Sequence, residues 1–155
     1  MRAGAAAASA AFALAKDPDP WPKSALMAPA ALAKSLNSDG PRPVVVCVAF
    51  PVLYRQRHII HAEYAGPGNS AEGIELLKKA AAKLQKDEEI VIYCGCCPMA
   101  DCPNVRPAYS ALAELGFTNV KVLDIPKNFH TDWVAKGYPV EDQLGVPVRP
   151  APKPE

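Results

Sequence analysis

Ile90-Val91-Ile92-Tyr93-Cys94-Gly95-Cys96-Cys97-Pro98-Met99-Ala100-Asp101-Cys102 places four cysteines within nine residues, directly after a short apolar run. Downstream, Pro107-Ala108-Tyr109-Ser110-Ala111-Leu112 has the composition of a helix that proline can start. A strand that delivers thiols into a loop which then opens a helix sets sulfur against free backbone N–H groups at the positive end of the helix dipole. Thiolates are stabilised there. Because the thiolate is the reactive and metal-binding form of cysteine, this segment narrows the function to thiol chemistry or metal binding.

Working outward, the segments on either side alternate between two periods. Pro29 to Leu36 reads as a short helix, and the β-branched run Val44 to Val48 as a buried strand. Asn69-Ser70-Ala71-Glu72 offers cap residues, after which Ile74, Leu77, Ala81 and Leu84 recur at helical spacing. After the cysteine loop and a helix that Gly116 can end come a third strand, Val120 to Leu123, and a last short helix. Asn128 can cap that helix, it carries Trp133, and Gly137 terminates it. Strands alternating with helices of this length predict a single-domain α/β fold, a parallel sheet flanked by helices on both faces, with ligands bound beyond the carboxyl ends of the strands. The cysteine loop lies at such an end. No internal repeat and no Gly-rich phosphate loop accompanies it.

At 155 residues, half of them apolar, the chain has room for one well-formed core. A formal charge of +1 predicts no nucleic-acid partner. Met1-Arg2 followed by the alanine-rich stretch to Ala13-Leu14-Ala15 reads as a short secretory signal, 1–15, cleaved after Ala15, and implies an exported, periplasmic or secreted protein. That stretch is too short to span a bilayer and nothing downstream is long enough, so no stable membrane insertion is expected. Prolines cluster at both edges, marking 16–23 as a linker and 142–155 as a tail around a domain at 24–141.

Over residues 24–141 the chain resembles the rhodanese-like family of sulfurtransferases. Met27-Ala28-Pro29-Ala30-Ala31-Leu32-Ala33 is similar to its opening helix, and Val44-Val45-Val46-Cys47-Val48 to its first core strand. Arg57-His58-Ile59-Ile60-His61-Ala62 is similar to its glycine-His-Ile-Pro-glycine-Ala turn. Ile90-Val91-Ile92-Tyr93-Cys94 resembles the strand that ends in the active-site cysteine. Leu115-Gly116-Phe117-Thr118-Asn119-Val120 and Trp133 to Val140 resemble the closing signatures. The chain departs from the pattern at Cys47 and Ala49, where the family has Asp and Arg, and at Arg57, Ile60 and His61 in the turn. The active-site loop is also longer than the family's. Measured from the strand the nucleophile is Cys94, whereas counting back from Gly116 the same position falls on Met99.

The resemblance implies sulfane-sulfur transfer through a cysteine persulfide, with no cofactor. The donor would be a small sulfur-containing anion such as thiosulfate, or a persulfide, and the acceptor a thiol or cyanide. Cys94 is the expected nucleophile and Arg106 the expected cation for the donor's charge, since a cation at a helix N-terminus calls for an anion to answer it. Cys96, Cys97 and Cys102 are candidates for resolving, redox or disulfide roles, Cys97 and Cys102 being close enough in sequence to close a staple. The C-x-C-C-x4-C array does not match the common two-by-two ligand pattern, so no metal is expected from the spacing. Cys47 is expected to pack in the core, and His58, His61 and His130 are assigned no role. The alternative to an enzyme is a non-catalytic module of the same fold whose cysteine-rich loop is a disulfide- or metal-stabilised binding surface.

Overall fold

The structure is a computed structural model and describes residues 18–148. The expected export segment, 1–15, and the end of the tail lie outside the described residues. Among the described residues twelve α-helices and β-strands follow one another in the α/β order. They are β1 (Leu26–Met27), α1 (Pro29–Leu36), β2 (Val44–Cys47), α2 (Pro51–Gln56), β3 (His58–Ile59), β4 (Glu63–Tyr64), α3 (Ala71–Ala82), β5 (Ile90–Tyr93), α4 (Val105–Glu114), β6 (Val120–Leu123), α5 (Phe129–Asp132) and β7 (Val140–Glu141).

Five strands form one parallel sheet in the order β1-β6-β5-β2-β4, and β3 and β7 pair separately and antiparallel. The three apolar runs expected in the sheet are therefore its central strands. All four residues of β5 are buried, so both faces of the strand are covered, as parallel sheets require. Register carries the chemistry to one edge: Cys47 stands opposite Tyr93, and the chain leaves the sheet one residue later as Cys94.

Local signals set the helix ends. Ser70 Oγ accepts a hydrogen bond from Gly73 N–H at 3.0 Å, and Asn128 Oδ1 accepts one from Thr131 N–H at 2.7 Å. Gly137 closes the single turn after α5 at φ +77°, a left-handed conformation that glycine adopts without a Cβ penalty. Trp133 follows α5 fully buried, with its Nε1–H donated to Pro139 O at 3.1 Å.

The folded body reaches beyond the expected 24–141. Trp21 is buried edge-on against Tyr109 of α4, with ring centroids 5.6 Å apart, so the proline-rich lead-in packs as part of the domain. On the other side Val148 N–H donates to Val140 O at 3.1 Å and Pro147 bridges to Glu141, folding the first residues of the tail onto β7. Proline dictates extended backbone in both segments, but the aromatic ring and a free strand edge decide that they dock. No helix among the described residues is long and apolar enough to cross a membrane.

Candidate active site

Tyr93 ends β5 fully buried, and its hydroxyl accepts a hydrogen bond from Ile59 N–H at 3.0 Å. That contact fixes where Cys94 leaves the sheet. Gly95 then turns the chain at φ +77°, and its carbonyl accepts the Phe129 N–H at 3.1 Å. Further on, a single helical turn at Met99–Asp101 is held to the segment just after β6 by Met99 N–H donating to Ile125 O at 3.1 Å. The Arg106 guanidinium donates to Met99 O and Cys102 O, each at 3.1 Å, and closes the loop from the helix side.

The loop so pinned gathers sulfur. Cys94 Sγ lies 3.1 Å from Cys96 Sγ, which lies 3.2 Å from Cys97 Sγ. The sulfurs of Cys94, Cys96 and Cys102 are all within 4.8 Å of one another. Among the described residues no two cysteines are joined, and the Cys97–Cys102 staple is not formed. Asn104, fully buried at the N-cap of α4, is the residue that sequence reasoning missed. Its Oδ1 accepts Asn69 N–H at 3.1 Å, which turns its Nδ2 toward Cys94 Sγ at 3.4 Å and Cys96 Sγ at 4.0 Å. The only advance sign of it was an N-cap residue type just before a helix that follows thiols.

Protonation follows from these contacts. The thiol of Cys94, then the backbone N–H groups of Asn104 and Val105 at the start of α4, lower the Cys102 pKa from 9.0 to about 6 in spite of burial. Its partner moves the other way: hydrogen bonding to Cys102, then burial, pushes Cys94 far up. Cys94 and Cys102 thus hold one proton between them above about pH 6. Burial first, then Cys96, raises Cys97 to about 12, which leaves it a neutral thiol.

Cys94 also faces outward. It lines a cavity of about 540 Å³ at the carboxyl end of the sheet, with Cys47 and Tyr93 beside it. Leu53, Phe129 and Val134 supply apolar wall, and Arg57, Asn128 and His130 supply polar groups. Cys102 does not line this cavity; with Cys94, Cys97 and Met99 it lines a second, much smaller one of about 10 Å³. Cys94 is the thiol common to both.

The sequence profile of the rhodanese-like domain matches residues 28–125, more than half of the chain. The chain belongs to the rhodanese-like domain family. Among solved structures it is similar to a Bacillus halodurans protein at 26% identity, TM-score 0.61, over 78% of this chain and 79% of that one. It shares its fold with the rhodanese-like domain of an Anabaena protein at 22% identity, TM-score 0.59, over 84% of this chain and 88% of that one. No curated protein matches it.

Within that family frame the two counts of the loop end at different places. The longer loop separates the two positions: the count from the strand ends on Cys94 after β5, the count from the helix ends on Met99, and Cys102 lies between Met99 and α4. Met99 opens the extra turn, Met99–Asp101. His61, which stands where the resemblance expects a glycine, adopts φ +64°, a left-handed conformation uncommon for a residue with a Cβ.

Arg106 is placed otherwise than expected. Besides the two loop carbonyls its guanidinium pairs with Asp19 at 2.7 Å and lies over the Trp21 ring at 5.4 Å. The anion that answers this cation at the helix start is an aspartate of the lead-in segment, and Arg106 does not line the large cavity. Arg57 does, and among the described residues its side chain makes no hydrogen bond or ion pair. Cys47, expected as core, is buried, and desolvation raises its pKa to about 11. His58 is a clamp: buried, stacked on Tyr54 at 3.7 Å, with Nδ1 2.8 Å from Tyr54 O and Nε2 3.2 Å from Glu141, it ties β3 to β7.

Proposed function

We propose that the chain accepts a sulfane sulfur on Cys94 from a small anionic donor and passes it to an acceptor thiol. The observation that carries this reading is the position of Cys94, between an open cavity holding Arg57 and a buried sulfur that can take its proton. With thiosulfate as donor, Cys94 Sγ attacks the outer sulfur while its proton goes to Cys102. The S–S bond of thiosulfate breaks, sulfite leaves with the bonding pair, and Cys94 carries a persulfide anion. Asn104 Nδ2 is on hand to hydrogen-bond anionic sulfur throughout. An incoming thiolate then takes the outer sulfur and returns Cys94 to the pool of loop thiols. Intact mass after exposure to thiosulfate tests this. The expected result is a gain of one sulfur atom that a thiol reverses; no gain would overturn it.

A second reading rests on the crowding of Cys94, Cys96 and Cys97 at 3.1–3.2 Å, which suits a dithiol redox or binding surface. Thiosulfate would then act as the two-electron oxidant, leaving as sulfide and sulfite, and the chain would lose two hydrogens as a disulfide and gain no sulfur.

The rate of loading should depend on pH through the shared proton. The anionic pair is the reactive form and the Cys102 pKa is depressed, so the rate should rise as pH climbs through about 6 and level off before neutrality. A stopped-assay profile with its midpoint near the ordinary 9.0 would show that the two sulfurs do not share a proton. Arg57→Gln should raise KM for thiosulfate about three- to tenfold, a modest effect because the guanidinium is exposed. Arg106→Gln should instead lower the melting temperature, and the reverse assignment of the two effects would place the donor site at Arg106.

A further inference from the structure

Beyond sulfur transfer, we propose that the loop binds one thiophilic d10 cation, Cu(I) or Zn(II), on the sulfurs of Cys94, Cys96 and Cys102. Three sulfurs from separate points of the loop lie within 4.8 Å of one another, and the cluster contains no histidine or carboxylate among the described residues. Metal–sulfur bonds of about 2.3 Å set ligand sulfurs about 3.8–4.0 Å apart, so the three need move by less than about 1 Å to close around an ion. An all-sulfur set selects soft ions and rejects magnesium or calcium.

Two further observations point to a ligand. The small cavity of about 10 Å³ adjoins two of the three ligands, Cys94 and Cys102; Cys97 and the Met99 thioether also line it, with Gly95, Val105, Leu123 and Ile125, and Cys96 does not. The space admits about one water-sized body, and four of its lining residues offer sulfur. Around it, Asn104 presents its amide to the sulfurs of Cys94 and Cys96 at 3.4 and 4.0 Å, held in that sense by Asn69. The start of α4 presents N–H groups to Cys102. Outer donors of this kind orient thiolate ligands and offset their charge. Binding would displace the remaining thiol protons to solvent and reduce or oxidise nothing.

The two ions differ in the ligand count they favour. Zinc in closed sites takes four ligands, and Cys97, 3.2 Å from Cys96, can supply the fourth sulfur. Cu(I) is content with three. The Cys97→Ser chain therefore separates them: it should weaken Zn(II) by about tenfold or more and leave Cu(I) nearly unchanged.

The test uses the full reduced chain under nitrogen, titrated with Zn(II) or with Cu(I) against a chromogenic chelator, followed by alkylation and peptide mapping. One ion per chain is expected, with Cys94, Cys96 and Cys102 shielded together from alkylation. Mapping the unsubstituted chain reads the ligands without relying on variants that fail to fold. If neither ion binds at one equivalent, or if bound metal leaves those three cysteines as reactive as before, the proposal is wrong. Because the readout is metal and not turnover, loss of the metal site and loss of sulfur loading are told apart. A loaded chain should also fail to gain sulfur from thiosulfate, since Cys94 is then occupied.

Discussion

Cys94→Ser is expected to reduce sulfur loading at least about a thousandfold, the scale on which removal of a covalent nucleophile acts. A serine hydroxyl in the same place would face the same cavity, but neither Cys102 nor the helix start can make an appreciable alkoxide of it. The fold should survive, because the substitution changes one atom at a strand end. Intact mass under thiosulfate would show no added sulfur, and the thermal midpoint would stay near the parent's. Cys102→Ser is the informative companion. Cys94 would then lose the partner that takes its proton, so loading should persist but move its pH midpoint upward toward the ordinary thiol range. A chain that loads normally as Cys94→Ser and fails as Cys102→Ser would place the nucleophile at the helix rather than at the strand.

The second large effect is expected from a residue with no side chain. Gly95→Ala puts a Cβ 2.6 Å from the Cβ of Phe129, with the Phe129 Cα and N at 3.2 and 3.3 Å, at a φ of +77°. Turning the phenyl ring relieves none of this, because the clash is with atoms at and next to the backbone. Left-handed strain and overpacking together should cost about 2–5 kcal/mol. The same contact sets the spacing between Cys94 and the cavity wall, since the Gly95 carbonyl holds Phe129 N–H at 3.1 Å. Urea unfolding should report the lost stability. In whatever fraction stays folded, thiosulfate should load more slowly. Wild-type stability in this variant would mean that the turn is looser than its geometry requires.

The elements that were legible in advance are those whose cause is local. Pro29–Leu36, Ile90–Tyr93 and Val120–Leu123 coincide residue for residue with their expected bounds, because a proline at the first helical turn and unbroken apolar, β-branched runs act over a few neighbouring residues. Helix α4 begins two residues earlier than Pro107 suggested. Proline fits at its third position as well as its first, since the N–H groups of the whole first turn lack a partner within the helix. Strands β3 and β7 could not be read at all. Each has two residues, and His58–Ile59 becomes a strand only because Val140–Glu141 arrives beside it from the far end of the domain.

The candidate site divides along the same line. That Cys94, Cys96 and Cys97 are neighbours at the end of a buried strand, and that the groups delivered there are thiols, was contained in one continuous stretch. That Cys102 joins them, that Asn104 turns its amide toward them, that Asp19 occupies Arg106, and that Arg57 comes to the cavity in its stead were decided by the folded chain. A thiol's proton affinity and a cation's availability depend on distances through space and on burial, and both are set by segments up to 87 residues apart. Residue type and spacing specify which groups a strand end delivers, whereas only tertiary packing decides which of them is charged and what it faces.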